Sequence, residues 1–320
     1  LQSLTPNHSF AQSTPFTDKM TQYKSPASHN VESNEKVTIS SFSWTPQDEA
    51  ALRWKIDLRL FPVLIILFIL NFIDRNNFAN ARLKGLETDL NLSDVEYQTC
   101  ISILLIGYVL FQVPSNMVLN ILRKPSWYLC TCVVTWGVIS AATGAVHNAA
   151  GALVCRFFLG CIEAALFPGS IFFLSRWYTR SEMQLRVTLL NVGNLVAQAF
   201  GGLIAAGILG GMEGVGGLRA WRWLFILEGV TTVACAGVAV FILPDYPSTT
   251  SWLSDDQKLI AQHRLDLDVG GESSDDKSST MAGALEGLKQ AVVDPKVWLL
   301  GLAYHCTIMG LSVSYVDVTF

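Results

Sequence analysis

YQTCISILLIGYVLFQVPSNMVL, residues 97–119, contains no Asp, Glu, Lys or Arg. Roughly 20 apolar residues in helical form cross the hydrocarbon core of a bilayer. The same absence of charge recurs from Ser126 to Val146 and from Val187 to Met212. A soluble helix needs a polar face, so three such runs in 320 residues mark an α-helical membrane protein.

The rest of the composition excludes other classes. Net charge is −4, which gives no basic footprint for nucleic acid. All seven cysteines (100, 130, 132, 155, 161, 235 and 306) fall in apolar runs. Cys130 and Cys132 form a C-x-C with no second pair to complete a metal site, so they read as buried free thiols. No cleavable signal is expected, since the N-terminus lacks an apolar h-region. The first residue is Leu1 rather than Met, which suggests an incomplete sequence.

Residues 1–46 are rich in Ser, Thr, Asn and Gln and are expected to form a disordered tail, because they cannot bury enough surface to offset ordering entropy. A short amphipathic segment, Gln47 to Asp57, leads to the membrane. Spans are expected at 60–80, 97–119, 126–146, 149–174, 187–211, 222–243 and 297–320. Residues 47–243 thus form a six-helix bundle, 244–296 a central loop, and 297–320 a seventh transmembrane helix that is cut short.

Orientation follows the bias of Lys and Arg in short loops. Arg53, Lys55, Arg59, Arg123, Lys124, Arg176, Arg180 and Arg186 lie on one side, against Arg75, Arg82, Lys84, Arg219 and Arg222 on the other. The larger group places the N-terminus and the central loop in the cytoplasm. That loop opens with the helix stop Pro244-Asp245-Tyr246-Pro247, carries a surface helix from Ser254 to Leu265, and continues as an acidic linker from Asp266 to Ser279. Trp221 and Trp223 flank Arg222 at an expected membrane boundary and read as interfacial anchors. Gly193, Ala197, Gly201 and Ala205 form a small-residue stripe for close helix packing.

Ionisable groups inside a membrane usually face a cavity or a partner. Asp74, Arg156, Glu163 and Glu228 qualify, with Arg75 at the margin. Arg156 and Glu163 are seven residues apart on one helix, hence on nearly one face and about 10 Å apart along the axis. Asp74 and Arg156 fall at similar depth, where they could face one another. Each has a structural alternative: Asp74 as a helix-end decoration, Arg156 as a snorkelling anchor, Glu163 as half of a static pair, Glu228 as a structural acid. The chemical reading is that burial and a nearby arginine oppose one another at a carboxylate, while arginine offers a planar fork to a carboxylate ligand.

At these residues the sequence resembles the anion:cation symporter family of the major facilitator superfamily, and within it the fungal allantoate permease group, which includes nicotinate and pantothenate transporters. The resemblance rests on Asn71-Phe72-Ile73-Asp74-Arg75-Asn76-Asn77, Gly107-Tyr108 through Asn116, Arg156 through Ala164 with Phe167-Pro168-Gly169, Trp221 through Gly229, and Leu243-Pro244-Asp245-Tyr246-Pro247. It covers about residues 55–265. The loop Asn120–Pro125 departs from the Asp- and Gly-containing loop of many facilitators, and Val316–Phe320 departs from the apolar run usual after Tyr315.

The resemblance implies the N-terminal six-helix bundle of the major facilitator fold, built of inverted 3+3 repeats, followed by a truncated seventh transmembrane helix. It further implies proton-coupled symport of a small organic anion or vitamin-like carboxylate. Asp74 and Glu163 match proton-coupling carboxylates, Arg75 and Arg156 anion-binding arginines, and Tyr108 a cavity-lining tyrosine. The expected partners are the organic anion, protons and the lipid bilayer, and the expected location is a multi-pass place in the plasma membrane. No cofactor or metal is expected. Nor is enzymatic activity, for there is no His-Glu-x-x-His and no Ser or Cys nucleophile beside a base. The alternative is a truncated, non-transporting membrane protein that acts as a regulator or sensor, or is inactive.

Overall fold

The computed structural model describes residues 44–122, 124–269 and 281–319, with side chains at 44–122, 124–268 and 281–307. All regular structure among the described residues is helical. The first helix, α1 (Pro46–Arg82), starts where Thr45 and Asp48 satisfy each other's backbone N–H groups and where Pro46 loses nothing by lacking a donor. The amphipathic lead and the first span are therefore one helix, not two. Leu52, Ile56 and Leu60 continue the buried face of Leu64 and Leu67, and the helix runs through Pro62 without interruption.

A short helix α2 (Leu86–Leu90) precedes α3 (Asp94–Ile121), which Ser93 and Glu96 cap reciprocally. Next come α4 (Pro125–Thr143) and α5 (Ala149–Glu163), whose Asn148 side chain accepts from the Gly151 N–H at 2.8 Å. The expected fourth span is interrupted at Ala164–Ala165 before resuming as α6 (Leu166–Trp177). Pro168 has no N–H to give to the Ala164 carbonyl, so the ladder loses a bond there. Then follow α7 (Arg180–Gly211), which begins seven residues earlier than the sequence suggested, and α8 (Ala220–Ile242).

Among the described residues six helical spans are long and apolar enough to cross a membrane: α1, α3, α4, α5 with α6, α7 and α8. They correspond to the six spans expected at 60–80, 97–119, 126–146, 149–174, 187–211 and 222–243, with α1 and α7 starting earlier. Beyond them lie α9 (Asp255–Val269), α10 (Met281–Val293) and α11 (Pro295–Thr319). The helix α9 matches the expected surface helix with its end extended; α10 was not anticipated, and α11 occupies the seventh expected span. Most of the expected tail, residues 1–43, and most of the acidic linker, 270–279, lie outside the described residues.

Small residues set which helices pair. Side chains added at Gly107 and Gly160 would strike the carbonyls of Phe157 and Leu104, so α3 and α5 lie backbone to backbone. Gly137 and Gly229 do the same for α4 and α8. In lipid such close approach replaces the hydrophobic drive as the source of association. Gly193, Ala197, Gly201 and Ala205 are all buried on α7, with Gly193 over Ile65 and Gly201 over Ile73 of α1.

Trp221 is not an interfacial anchor. It is fully buried, and its Nε1 donates to Asp89 at 3.1 Å. Arg222 beside it donates to the Gly144 carbonyl at 2.9 Å and to Asp89 at 3.2 Å. The inward turn of this pair ties the start of α8 to α2 and to the end of α4.

At the opposite end of the bundle, where α1 begins, α9 is clamped down. Arg264 is 5% exposed. It donates to Glu182 at 3.2 Å and to the carbonyl of Trp177, the last residue of α6. Trp252 stacks on Trp177 at 5.7 Å, and Lys55 donates to the Trp252 carbonyl. Asp57 of α1 receives both Nε and Nη2 of Arg186 and the phenol of Tyr178. Burial first, and then the bond to Asp57, push the Tyr178 phenol above its ordinary value, so it remains a donor.

Candidate functional site

Helix α1 brings Asn71, Asp74 and Asn77 to one buried face at three-residue spacing. Helix α5 brings Arg156 and Glu163, and α8 brings Glu228 with Thr232 one turn on. Three apolar helices thus meet over polar side chains, which is costly without partners.

The five residues singled out in the sequence divide into two groups. The first is Glu163 with Arg75 and Tyr108. Arg75 Nε donates to Glu163 Oε2 at 2.7 Å, and the guanidinium sits 4.6 Å from the centre of the Tyr108 ring. The Glu163 carboxyl is fully buried, whereas the Arg75 side chain is 26% exposed. Arg75 is not marginal: α1 runs on seven residues to Arg82, about 10 Å further. Glu163 lies midway along the 29-residue span Ala149–Trp177, at the interruption before Pro168. Its second oxygen, Oε1, is buried and without a hydrogen-bond partner.

The second group lies deeper in the bundle. Asp74 accepts from Trp136 Nε1 at 2.8 Å and from Ser140 Oγ at 2.6 Å, both on α4. The donors to Asp74 are thus neutral side chains of α4. Arg156 still lies within electrostatic reach of Asp74, Glu163 and Glu228. It is 2% exposed, with its guanidinium 4.2 Å from the centre of the Phe78 ring and 5.6 Å from that of Phe225. Such stacking suits the weakly hydrated guanidinium. Its Nε and Nη2 are buried without hydrogen-bond partners. Snorkelling is ruled out, because the side chain points inward to α1 and α8.

Reasoning from sequence missed Trp136 and Ser140. A Trp in an apolar run carries no sign that its N–H serves a carboxylate. Asn71 and Asn77 entered only as part of the family motif, although their three-residue spacing from Asp74 is the signal that marks a polar face. Glu228 was read as structural, yet neither of its oxygens has a hydrogen-bond partner. Among the described residues no group of three or more His, Cys, Asp or Glu is placed to hold a metal ion.

The family profile described as Major Facilitator Superfamily matches residues 64–320. The MFS transporter prlL of Fungal sp. (strain NRRL 50135) is 35% identical over 271 residues, 83% of this chain and 52% of that protein. The pantothenate transporter liz1 of Schizosaccharomyces pombe is 29% identical over 71% of this chain and 45% of its own length. The chain spans about half the length of the curated relatives it matches. In fold it is similar to the crystal structure of a bacterial homolog to the human lysosomal transporter Spinster, inward-facing and occupied. The TM-score is 0.54 at 16% identity, covering 67% of this chain and 47% of that one. With its six membrane-length helices and its profile match over most of the sequence, the chain belongs to the Major Facilitator Superfamily.

Proposed function

We propose that the full-length protein carries a small organic anion across a membrane together with a proton, as the anion:cation symporter resemblance implies. The observation that carries this reading is the Arg75–Glu163 pair, a guanidinium open at the bundle surface over a carboxylate that is fully buried. An anion drawn to Arg75 competes with Glu163 for the same positive charge. When the anion takes Arg75, Glu163 is left buried without its counter-ion, and a proton replaces it. Binding of anion and proton is thereby linked at one contact. Tyr108 under Arg75 fixes the guanidinium plane, and Arg156, with Nε and Nη2 unbonded, supplies a second fork. Asp74, held by Trp136 and Ser140, sets the field between them.

The pantothenate transporter among the relatives acts on a carboxylate, which agrees with an anionic substrate of vitamin type. The N-terminus and the stretch 244–296 are assigned to the cytoplasm, and the membrane to the plasma membrane.

The test is Glu163→Gln in the full-length carrier reconstituted in liposomes. Wild type is expected to accumulate the anion when the uptake side is acid, because the proton is drawn in with it. Glu163→Gln should lose this pH-driven accumulation and keep exchange of internal for external anion, since exchange needs no net proton cycle. Accumulation that survives the substitution removes Glu163 from the coupling.

A further inference from the structure

We infer that Glu228 carries a proton in the resting bundle and is the group through which its buried charges balance. Among the described residues, the acids and arginines that meet midway along α1, α5 and α8 are Asp74, Glu163 and Glu228 on one side and Arg75 and Arg156 on the other. Arginine does not give up its proton in proteins. Three carboxylates against two guanidiniums leave one negative charge in excess, in a region where an uncompensated charge is the costliest thing to bury. One of the three acids is therefore neutral.

The hydrogen bonds decide which one. Glu163 has the Arg75 guanidinium at 2.7 Å. Asp74 has two donors, at 2.6 and 2.8 Å. Both are built to hold a carboxylate. Glu228 has no donor on either oxygen, both of which are buried, and the residue is 7% exposed. The charged groups within electrostatic reach of it are Asp74 from α1 and Arg156 and Glu163 from α5. Helix α4 presents the uncharged Trp136 and Ser140 to the same region, and the charged residues of α7 (Arg180, Glu182, Arg186) lie in its first turns, at the other end of the bundle. Arg222, on Glu228's own helix, is committed to Gly144 and Asp89.

This places a stationary proton apart from the Arg75–Glu163 pair, distinct from the one that cycles with substrate. The assignment rests on burial, partners and charge count, and holds whether or not the protein is a symporter. Its consequence for the proposed cycle is that the empty bundle is already neutral, so each added anion calls for one added proton.

Infrared spectroscopy of the purified chain in lipid at neutral pH tests it without any transport assay. A protonated-carboxyl C=O band is expected in wild type. Charge-conserving exchanges then assign it: Glu228→Asp should shift the band, while Asp74→Glu and Glu163→Asp leave it in place. Glu228→Gln should abolish it. A band that moves with Glu163→Asp or Asp74→Glu, or the absence of any band in wild type, overturns the inference. If Glu228→Asp does not fold, as judged by helical circular dichroism, the other two exchanges still decide, because either one moving the band is fatal.

Discussion

Arg75 engages Glu163 through Nε, a single contact between a partly exposed cation and a sealed anion. Lys in its place keeps the charge but cannot present a planar fork to a carboxylate. Loss of a charge-assisted contact costs about 1.5–3 kcal/mol, roughly 10- to 150-fold in affinity. Arg75→Lys in the full-length carrier is therefore expected to fold normally and to weaken binding of an organic anion by that factor, as read by titration calorimetry. A change below about threefold, well short of that range, would leave Arg75 as a partner of Glu163 alone. Asp74 teaches a related point. It was legible as an intramembrane acid, but its partners were not, because Trp136 and Ser140 stand more than sixty residues away on a helix with no charge at all.

Glycine placement governs the helices as units. Gly160 faces the Leu104 backbone with no room for a methyl group, whereas a side chain added at Gly202 meets nothing within 4 Å. Gly160→Ala must push α5 off α3, and overpacking of this kind costs about 1–3 kcal/mol. Thermal unfolding in detergent should show a clear drop for Gly160→Ala and none for Gly202→Ala, although the two exchanges are chemically the same. Equal effects would mean that α3 and α5 do not pack as described. The clamp on α9 makes a second prediction at this scale. Arg264→Met leaves Glu182 with one fewer cation and the Trp177 carbonyl without its donor. Breaking a buried pair from one side costs about 3–5 kcal/mol, so unfolding should move to lower temperature by more than for Arg180→Met, whose side chain is exposed. That α9 folds was readable in its sequence; that it is stapled to α6 and α7 was not, since every partner is remote in the chain.

For the molecule as a whole, a label tests the side of the membrane. Ser251 is exposed in the turn between α8 and α9. With the exposed Cys306 removed, Ser251→Cys is expected to react with a membrane-impermeant thiol reagent only after cells are opened. Labelling of intact cells would reverse the assigned orientation. The same basic residues that set the expectation also build the clamp: Arg53 and Arg186 pair with Glu182 and Asp57. Their count is therefore partly a packing requirement as well as a topological signal.

What the sequence alone determined was the set of membrane-crossing elements and the residues worth suspecting. Apolar runs of the right length leave a chain no other place to put them, and an acid or arginine inside such a run stands out against its surroundings. The continuity of α1 and the break ahead of Pro168 were not read from the sequence, where a separate lead segment and an unbroken fourth span were expected. Only the tertiary structure decided the partnerships: Arg75 with Glu163, Asp74 with Trp136 and Ser140, Arg156 between two phenylalanine rings, and Glu228 with no donor. Helix period fixes which face a residue occupies. It does not fix which helix that face meets, because in lipid that choice depends on how closely backbones can approach, and this is settled between distant glycines.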